Sequence, residues 1–279
     1  MPPTPPAHTG RWEPLFDGET LSGWHAVPRL PTPQVLGEPW PDPDSPEVRA
    51  AAATAGRWQV CDGAIVGGQG VEGFGGYLLT DRVFADFELQ FEVKPDWPVD
   101  TGVLVRTRPI GTQGFQILID HRKSGSIGGF YGNGIGGFHL WAFNLDADYD
   151  ADGTPIGLRV ETEETTLEPF FEERWSPLSY AIDPQEFLDT WRWGDWNRLR
   201  IRCAGQHPVL TTWVNEVKAY EVDAGAIDLP TYDREATFNL LGRAGHIALE
   251  VHHNDARMGP ARWAPGAVSR WRDIAIREL

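Results

Sequence analysis

The stretch "DFELQFEVK" (residues 86–94) constrains this chain most. Phe87, Leu89, Phe91 and Val93 alternate with Glu88, Gln90, Glu92 and Lys94, the pattern of a strand buried on one face. "TGVLVRT" (101–107) and "GFQILID" (114–120) continue the theme, the latter setting Phe115, Ile117 and Ile119 against Gln116, Leu118 and Asp120. Further runs are "WNRLRIRC", "VLTTWVNEVKAYEV", "GHIALEVHH" and "RWRDIAIREL". "RWQVCDGAIVGG" reads as a hairpin turning at Asp62-Gly63. No amphipathic helices separate these runs, so the expected fold is all-β, an antiparallel sandwich. The 31 glycines and 23 prolines supply the many turns such a fold needs.

Residues 1–12 read as a Pro-rich arm and 13–279 as a single β-sandwich domain. Two stretches interrupt the strand pattern, 28–57 and 142–194. In the first, prolines forbid a central strand, and only "SPEVRAAAA" suits a short helix, with Ser45 as cap and Pro46 in the first turn. The second is strongly acidic with little strand character. Cys61 and Cys203 are too few for a disulfide framework and are expected as buried free thiols.

A formal net charge of −16 argues against nucleic acid and anionic membrane surfaces as partners. No run reaches the length of a membrane span, and "MPPTPPAHTGRW" has neither a basic nor an apolar signal region. A soluble, cytoplasmic chain is therefore expected, or a periplasmic or secreted one if a leader has been removed. Walker, dinucleotide-binding, nucleophile-elbow and zinc-protease motifs are all missing, so no organic cofactor is expected.

Ten collinear segments point to a family. They include "EPLFDGETLSGW" (13–24), "WQVCDGAIVGG" (58–68), "GGYLLTDRVFADFELQFEVK" (75–94), "GGFYG" (128–132), "DWNRLRIRCAG" (195–205) and "GHIALEVH" (245–252). In this order they resemble the 3-keto-disaccharide hydrolase family, once catalogued as a domain of unknown function. The resemblance implies a concanavalin/LamG-like jelly roll and cleavage of glycosides already oxidised at C3. It also implies a carbohydrate or glycoside substrate and a functional link to a sugar 3-oxidoreductase that supplies it. By motif position it carries over Arg106, Gln116, Asp120, Tyr131 and Glu250. Two departures stand out: Gly114 where the family often has an acidic residue, and Glu250 where Gln is common.

The chemistry suits those residue types. A ketone at C3 acidifies the C2 proton; its removal gives an enolate that expels the anomeric substituent, and water then adds to the enone. Such a site needs a base near C2, a donor at the enolate oxygen and an acid for the leaving group; direct hydrolysis by two spaced carboxylates is the other open route. Asp120, Glu250, His121 and His252 are the acid–base candidates, with Arg106 for the enolate or for orienting a carboxylate. Glu88 and Gln116 lie on polar strand faces that could meet on a concave sheet, although such faces are ordinarily just solvated. The glycine-rich stretch 119–143 lacks the helix start of a phosphate cradle. It reads instead as a tightly turned rim whose Lys123, Tyr131, His139 and Trp141 face a sugar. A non-catalytic, lectin-like module is the alternative, since fold does not fix function.

"DADYDADGTPIG" (146–157) places Asp148, Asp150, Asp152 and Gly153 as in half of a calcium loop. Arg159 stands where a bidentate Glu would close it. The expectation is Ca²⁺ or another divalent ion at these aspartates.

Overall fold

The computed structural model describes residues 10–168 and 171–279; residues 1–9 of the proposed arm lie outside them. In chain order the first strands are β1 (Glu13–Pro14), β2 (Trp24–Pro28), β3 (Arg57–Cys61), β4 (Ala64–Gly68), β5 (Gly76–Thr80) and β6 (Phe87–Pro95). Next come β7 (Val99–Thr107), β8 (Gly114–His121), β9 (Ile127–Asn133), β10 (His139–Leu140), β11 (Leu145–Tyr149) and β12 (Pro155–Val160). The remainder are β13 (Leu178–Ala181), β14 (Asn197–Ala204), β15 (Val209–Val214), β16 (Val217–Asp223), β17 (His246–Val251) and β18 (Val268–Glu278). Short helices α1 (Pro46–Ala52), α2 (Pro184–Thr190) and α3 (Arg234–Leu241) connect them.

Two antiparallel sheets face each other in a concanavalin-like jelly roll. One runs β13-β16-β15-β14-β6-β18-β4-β3, with β1 against β18, and the other runs β10-β9-β8-β7-β17-β5-β2. The alternation read from sequence sets what lies between them. Phe87, Leu89, Phe91 and Val93 of β6 meet a core that includes Phe115, Ile117 and Ile119 of β8 and Ile247 and Leu249 of β17. Burying each such side chain stabilises the fold by about 1.5–3 kcal/mol. Asp62 and Gly63 both take positive φ (50° and 75°), the geometry that a two-residue hairpin demands between β3 and β4.

Ser45 caps α1, accepting from Val48 N, and Pro46 starts the helix. Three expectations need correction. The 142–194 stretch has real strand content: β11 and β12 form their own hairpin, and β13 extends the larger sheet. Many of its acidic side chains lie on exposed turns, and the buried Asp146 and Glu161 are paired with Lys123, so the charge does not prevent strand pairing. Cys61 is exposed and only Cys203 is buried. The expected cation loop is the turn of the β11–β12 hairpin: Asp150 Oδ1 accepts from the backbone N–H of Asp152 and Thr154 (3.0 and 2.8 Å). Asp148 similarly accepts from Tyr149 N, and no cluster of three or more metal-ligating side chains occurs among the described residues. Aspartates at alternating positions here stabilise a turn, which explains the pattern without a cation. No helix among the described residues is long and apolar enough to cross a membrane.

Candidate functional site

Antiparallel register places one residue of each strand beside its neighbour on the same face. On the outer face of the seven-stranded sheet, Asp100 of β7 stands opposite Asp120 of β8, and Gln116 stands opposite both Leu104 and Tyr131. Glu250 of β17 lies between Gly102 and Tyr77. These side chains converge under a cavity of about 180 Å³. Its walls include Arg29, Asp100, Asp120, Arg122, His252 and Arg262 on one side and Tyr131, His139 and Trp141 on the other.

Loops deliver the cations. Beyond β8 the chain turns sharply through Ser124 (φ 56°) and Gly125, where a Cβ would lie 2.0 Å from Asp120 O. That turn folds Arg122 back so that Nε donates to Asp100 Oδ2 (2.8 Å) and Nη2 approaches Asp120 Oδ2 (3.5 Å). Arg262, from the loop before β18, donates to the same Asp100 oxygen. Burial would raise Asp100, but the Arg122 and Arg262 charges hold it well below the usual carboxylate range. Burial and the adjacent Asp100 charge push Asp120 well above that range. Two carboxyls forced together disfavour double ionisation, and the arginines on Asp100 favour its ionised form over that of Asp120. Asp120 Oδ1 accepts no donor among the described residues.

Arg29, at the end of β2, organises the neighbouring corner. Its Nε donates to Glu250 Oε1 (2.7 Å), Nη1 to His253 Nδ1 (2.7 Å) and Nη2 to His252 Nε2 (2.8 Å). Gln116 Nε2 donates to the other Glu250 oxygen. Gly102 leaves room for that reach, since a Cβ there would stand 2.9 Å from Gln116 Nε2. Arginine only donates and a carbonyl only accepts, so the tautomer of His252 is fixed. Nε2 is bare toward Arg29, and Nδ1–H donates to His253 O (2.6 Å). Burial, with Arg29 beside them, lowers His252 well below its ordinary value and His253 to about 4. Burial raises Glu250, an effect that Arg29 opposes.

The opposite wall is aromatic. Tyr131 and His139 pair across β9 and β10, their rings edge-on at 4.7 Å, and His139 lies 5.1 Å from Trp141. Tyr131 OH donates to Gln34 Oε1 (2.6 Å) and Trp141 Nε1 to Asn144 Oδ1 (2.7 Å). The glycine stretch is therefore mostly an edge hairpin. Positive φ at Gly134, Gly136 and Gly137 turns it, and at Gly132 a Cβ would lie 2.4 Å from the Phe138 ring.

Of the sequence candidates, Asp120, Gln116, Tyr131, His139, Trp141 and His252 line the cavity, and Glu250 lies buried just beneath. Four do not belong to it. His121 follows Asp120 and so takes the opposite face, where Nδ1 donates to Asp96 O (2.8 Å) and Trp97, Trp191 and Trp193 surround the ring. A bulge between β7 and β17 (Arg106 φ 51°) turns Arg106 away. It instead binds the Gly205, Gln206 and Ala85 carbonyls and the Asp86 carboxylate. Glu88 occupies the outer face of the other sheet with Arg200 and Arg277. Lys123 pairs with Asp146 (3.2 Å) and Glu161 (2.7 Å), pinning the β11–β12 hairpin.

Sequence reasoning missed Arg29, Asp100, Arg122 and Arg262. Asp100 was accessible to it: in "VDTGVLV" it shares the face of Gly102 and Leu104. The arginines come from loops, where no period speaks for them.

The fold and this buried cleft of carboxyls, arginines and aromatics define a jelly-roll protein with a polar site on one sheet. The profile of the 3-keto-alpha-glucoside-1,2-lyase-like domain matches residues 11–277, nearly the whole chain, and the protein belongs to that family. Among curated proteins none matches it. Solved structures similar to it include a protein of Parabacteroides distasonis ATCC 8503 provisionally assigned as a glycosyl hydrolase. It is 18% identical with TM-score 0.48, covering 96% of this chain and 100% of that one. Carbohydrate-binding module CBM66 of Bacillus subtilis is 10% identical with TM-score 0.43 (80% and 92% covered). The Bacillus licheniformis β-glucanase is 9% identical with TM-score 0.44 (97% and 98% covered). Values this low say nothing about what this chain binds or cleaves.

Proposed function

We propose that the cavity cleaves 3-keto-glycosides by elimination, with Asp100 and Asp120 as an acid–base pair. The observation that carries this is the pair of facing buried carboxyls, with Arg122 and Arg262 both on Asp100, an arrangement that favours the ionised form of Asp100 and the protonated form of Asp120. Asp100 takes the C2 proton, and the electrons left behind form the enolate of the C3 ketone. The enolate collapses to a C1=C2 bond and expels the glycosidic oxygen, which takes the proton of Asp120. The pair has then exchanged its charges. Arg122 contacts both carboxyls, so the exchange needs little rearrangement. Hydration reverses the roles: Asp120 removes a proton from water adding at C1, and Asp100 returns one to C2. Arg29, anchored by Glu250, offers its remaining N–H groups to the enolate oxygen. Tyr131, His139 and Trp141 supply a face for the sugar ring. An oxidoreductase acting at C3 of sugars would supply the substrate.

The test is aglycone release from 3-keto-glucosides. Asp120→Asn should cut turnover by about 100-fold or more, the scale of general acid–base catalysis. Glu250→Gln should cut it too, by loosening Arg29. Near-wild-type turnover of folded Asp120→Asn removes the pair from the mechanism. The aromatic wall equally suits a lectin-like module, and binding of unoxidised sugars with no release from any keto-glycoside would establish that reading instead.

A further inference from the structure

Beside the catalytic cavity lies a larger one of about 380 Å³, lined by Phe138, His139, Phe171, Arg174, Leu229 and Pro230 among others. His139 belongs to both, so it is the partition between them. Arg174 is 4% exposed, and its Nε and Nη1 donate to no acceptor among the described residues. Its only side-chain partner there is Glu168, at 3.5 Å from Nη2. The guanidinium lies between two rings, 4.6 Å from Trp141 and 4.9 Å from Phe171. Phe171, 49% exposed, screens it from water. His139 Nδ1 is likewise buried without a partner among the described residues.

Buried donors left unpaired lose the hydrogen bonds that water gave them, more so when charged, so a binding partner that brings an acceptor recovers that cost. The rest of the lining is mostly apolar (Gly137, Phe138, Phe171, Leu229 and Pro230), with Glu173 and Thr231 as its other polar side chains. A second sugar would require many hydroxyl partners, of which these walls offer few beyond Glu173 and Thr231; an aromatic ring requires fewer. We infer that this second cavity is an aglycone site for an aromatic group carrying an acceptor oxygen, such as a carboxylate, directed at Arg174. Its role as an aglycone site rests on the elimination reading above. The keto sugar would occupy the smaller cavity, with the glycosidic oxygen near His139 and Asp120.

The probes are free 4-hydroxybenzoate, phenol and glucose in titration calorimetry, and the 4-carboxyphenyl, phenyl and methyl 3-keto-glucosides in turnover. The wild-type protein should bind 4-hydroxybenzoate roughly 10- to 100-fold more tightly than phenol and should not respond to glucose. Arg174→Met, which keeps the stem against Trp141, should abolish the difference between 4-hydroxybenzoate and phenol. Phe171→Ala, a change at an exposed ring, should weaken both ligands. In turnover, the kcat/KM ratio of carboxyphenyl to methyl glycoside should fall by the same factor in Arg174→Met. Glucose binding in preference to 4-hydroxybenzoate, or equal 4-hydroxybenzoate affinity in wild type and both variants, overturns the assignment. Arg174-dependent binding without cleavage of any glycoside upholds the cavity and removes the activity. Cleavage with no Arg174-dependent preference does the reverse.

Discussion

At the scale of single residues, the role proposed for Asp120 sets function against stability. A carboxyl raised above its unfolded value binds its proton more tightly when folded. The folded state therefore loses stability as pH rises from about 3.9, the ordinary Asp value, to the raised one. Above that window the penalty is complete. Asp120→Asn mimics the protonated form and never incurs it, so the variant should melt a few degrees higher than wild type at neutral pH. The advantage should vanish near pH 3. A variant that melts lower at pH 7 would mean that Asp120 is ionised and salt-bridged to Arg122. Arg29 illustrates the opposite kind of residue. Its guanidinium is tied to Glu250, His252 and His253 at once, so its loss would disturb three groups.

At the scale of elements, alternation proved a reliable guide to faces and a poor one to sheets. It correctly separated Gln116 and Asp120 from Phe115 and Ile117, and Glu250 from Leu249. The same rule, carried one residue further, would have excluded His121. Periodicity could not say that β6 belongs to the other sheet, so Glu88 was grouped with residues it never meets. Nor could it foresee the bulge at Arg106, since one extra residue inverts every later side chain. The β11–β12 hairpin gives a test of how Lys123 is used. Glu161 is 1% exposed at its side chain, and Lys123 is its only cation among the described residues. Lys123→Met should destabilise the fold by about 2 kcal/mol, less than a fully buried pair because Lys123 is 33% exposed. Lys123→Met with Glu161→Gln should recover most of that loss in thermal melts. A large loss of turnover with unchanged melting would return Lys123 to the sugar site.

At the scale of the whole molecule, the buried histidines dominate the response to acid. Burial lowers His121 to about 4, His139 to about 3 and His253 to about 4, and His252 moves in the same direction. Below about pH 6.5, the ordinary His value, the unfolded chain takes up protons that the folded chain refuses. Each such group then lowers stability by up to about 1.4 kcal/mol per pH unit until its folded pKa is reached. Asp120 and Glu250, both raised, act the other way, as does relief of self-repulsion when the net charge of −16 falls toward the pI near 4.8. The repulsion is between surface charges and is screened at about 8 Å in 0.15 M salt, whereas the histidines are shielded from salt by burial. Four groups opposed by two give the sign. In 0.15 M salt the melting temperature should fall steadily from pH 6.5 to 4.5, and raising the salt further should not flatten the slope. A melting temperature that holds or rises across that interval would mean that the histidines take up protons within the fold. The Arg29 corner would then carry added positive charge instead of the neutral imidazoles that its hydrogen bonds require.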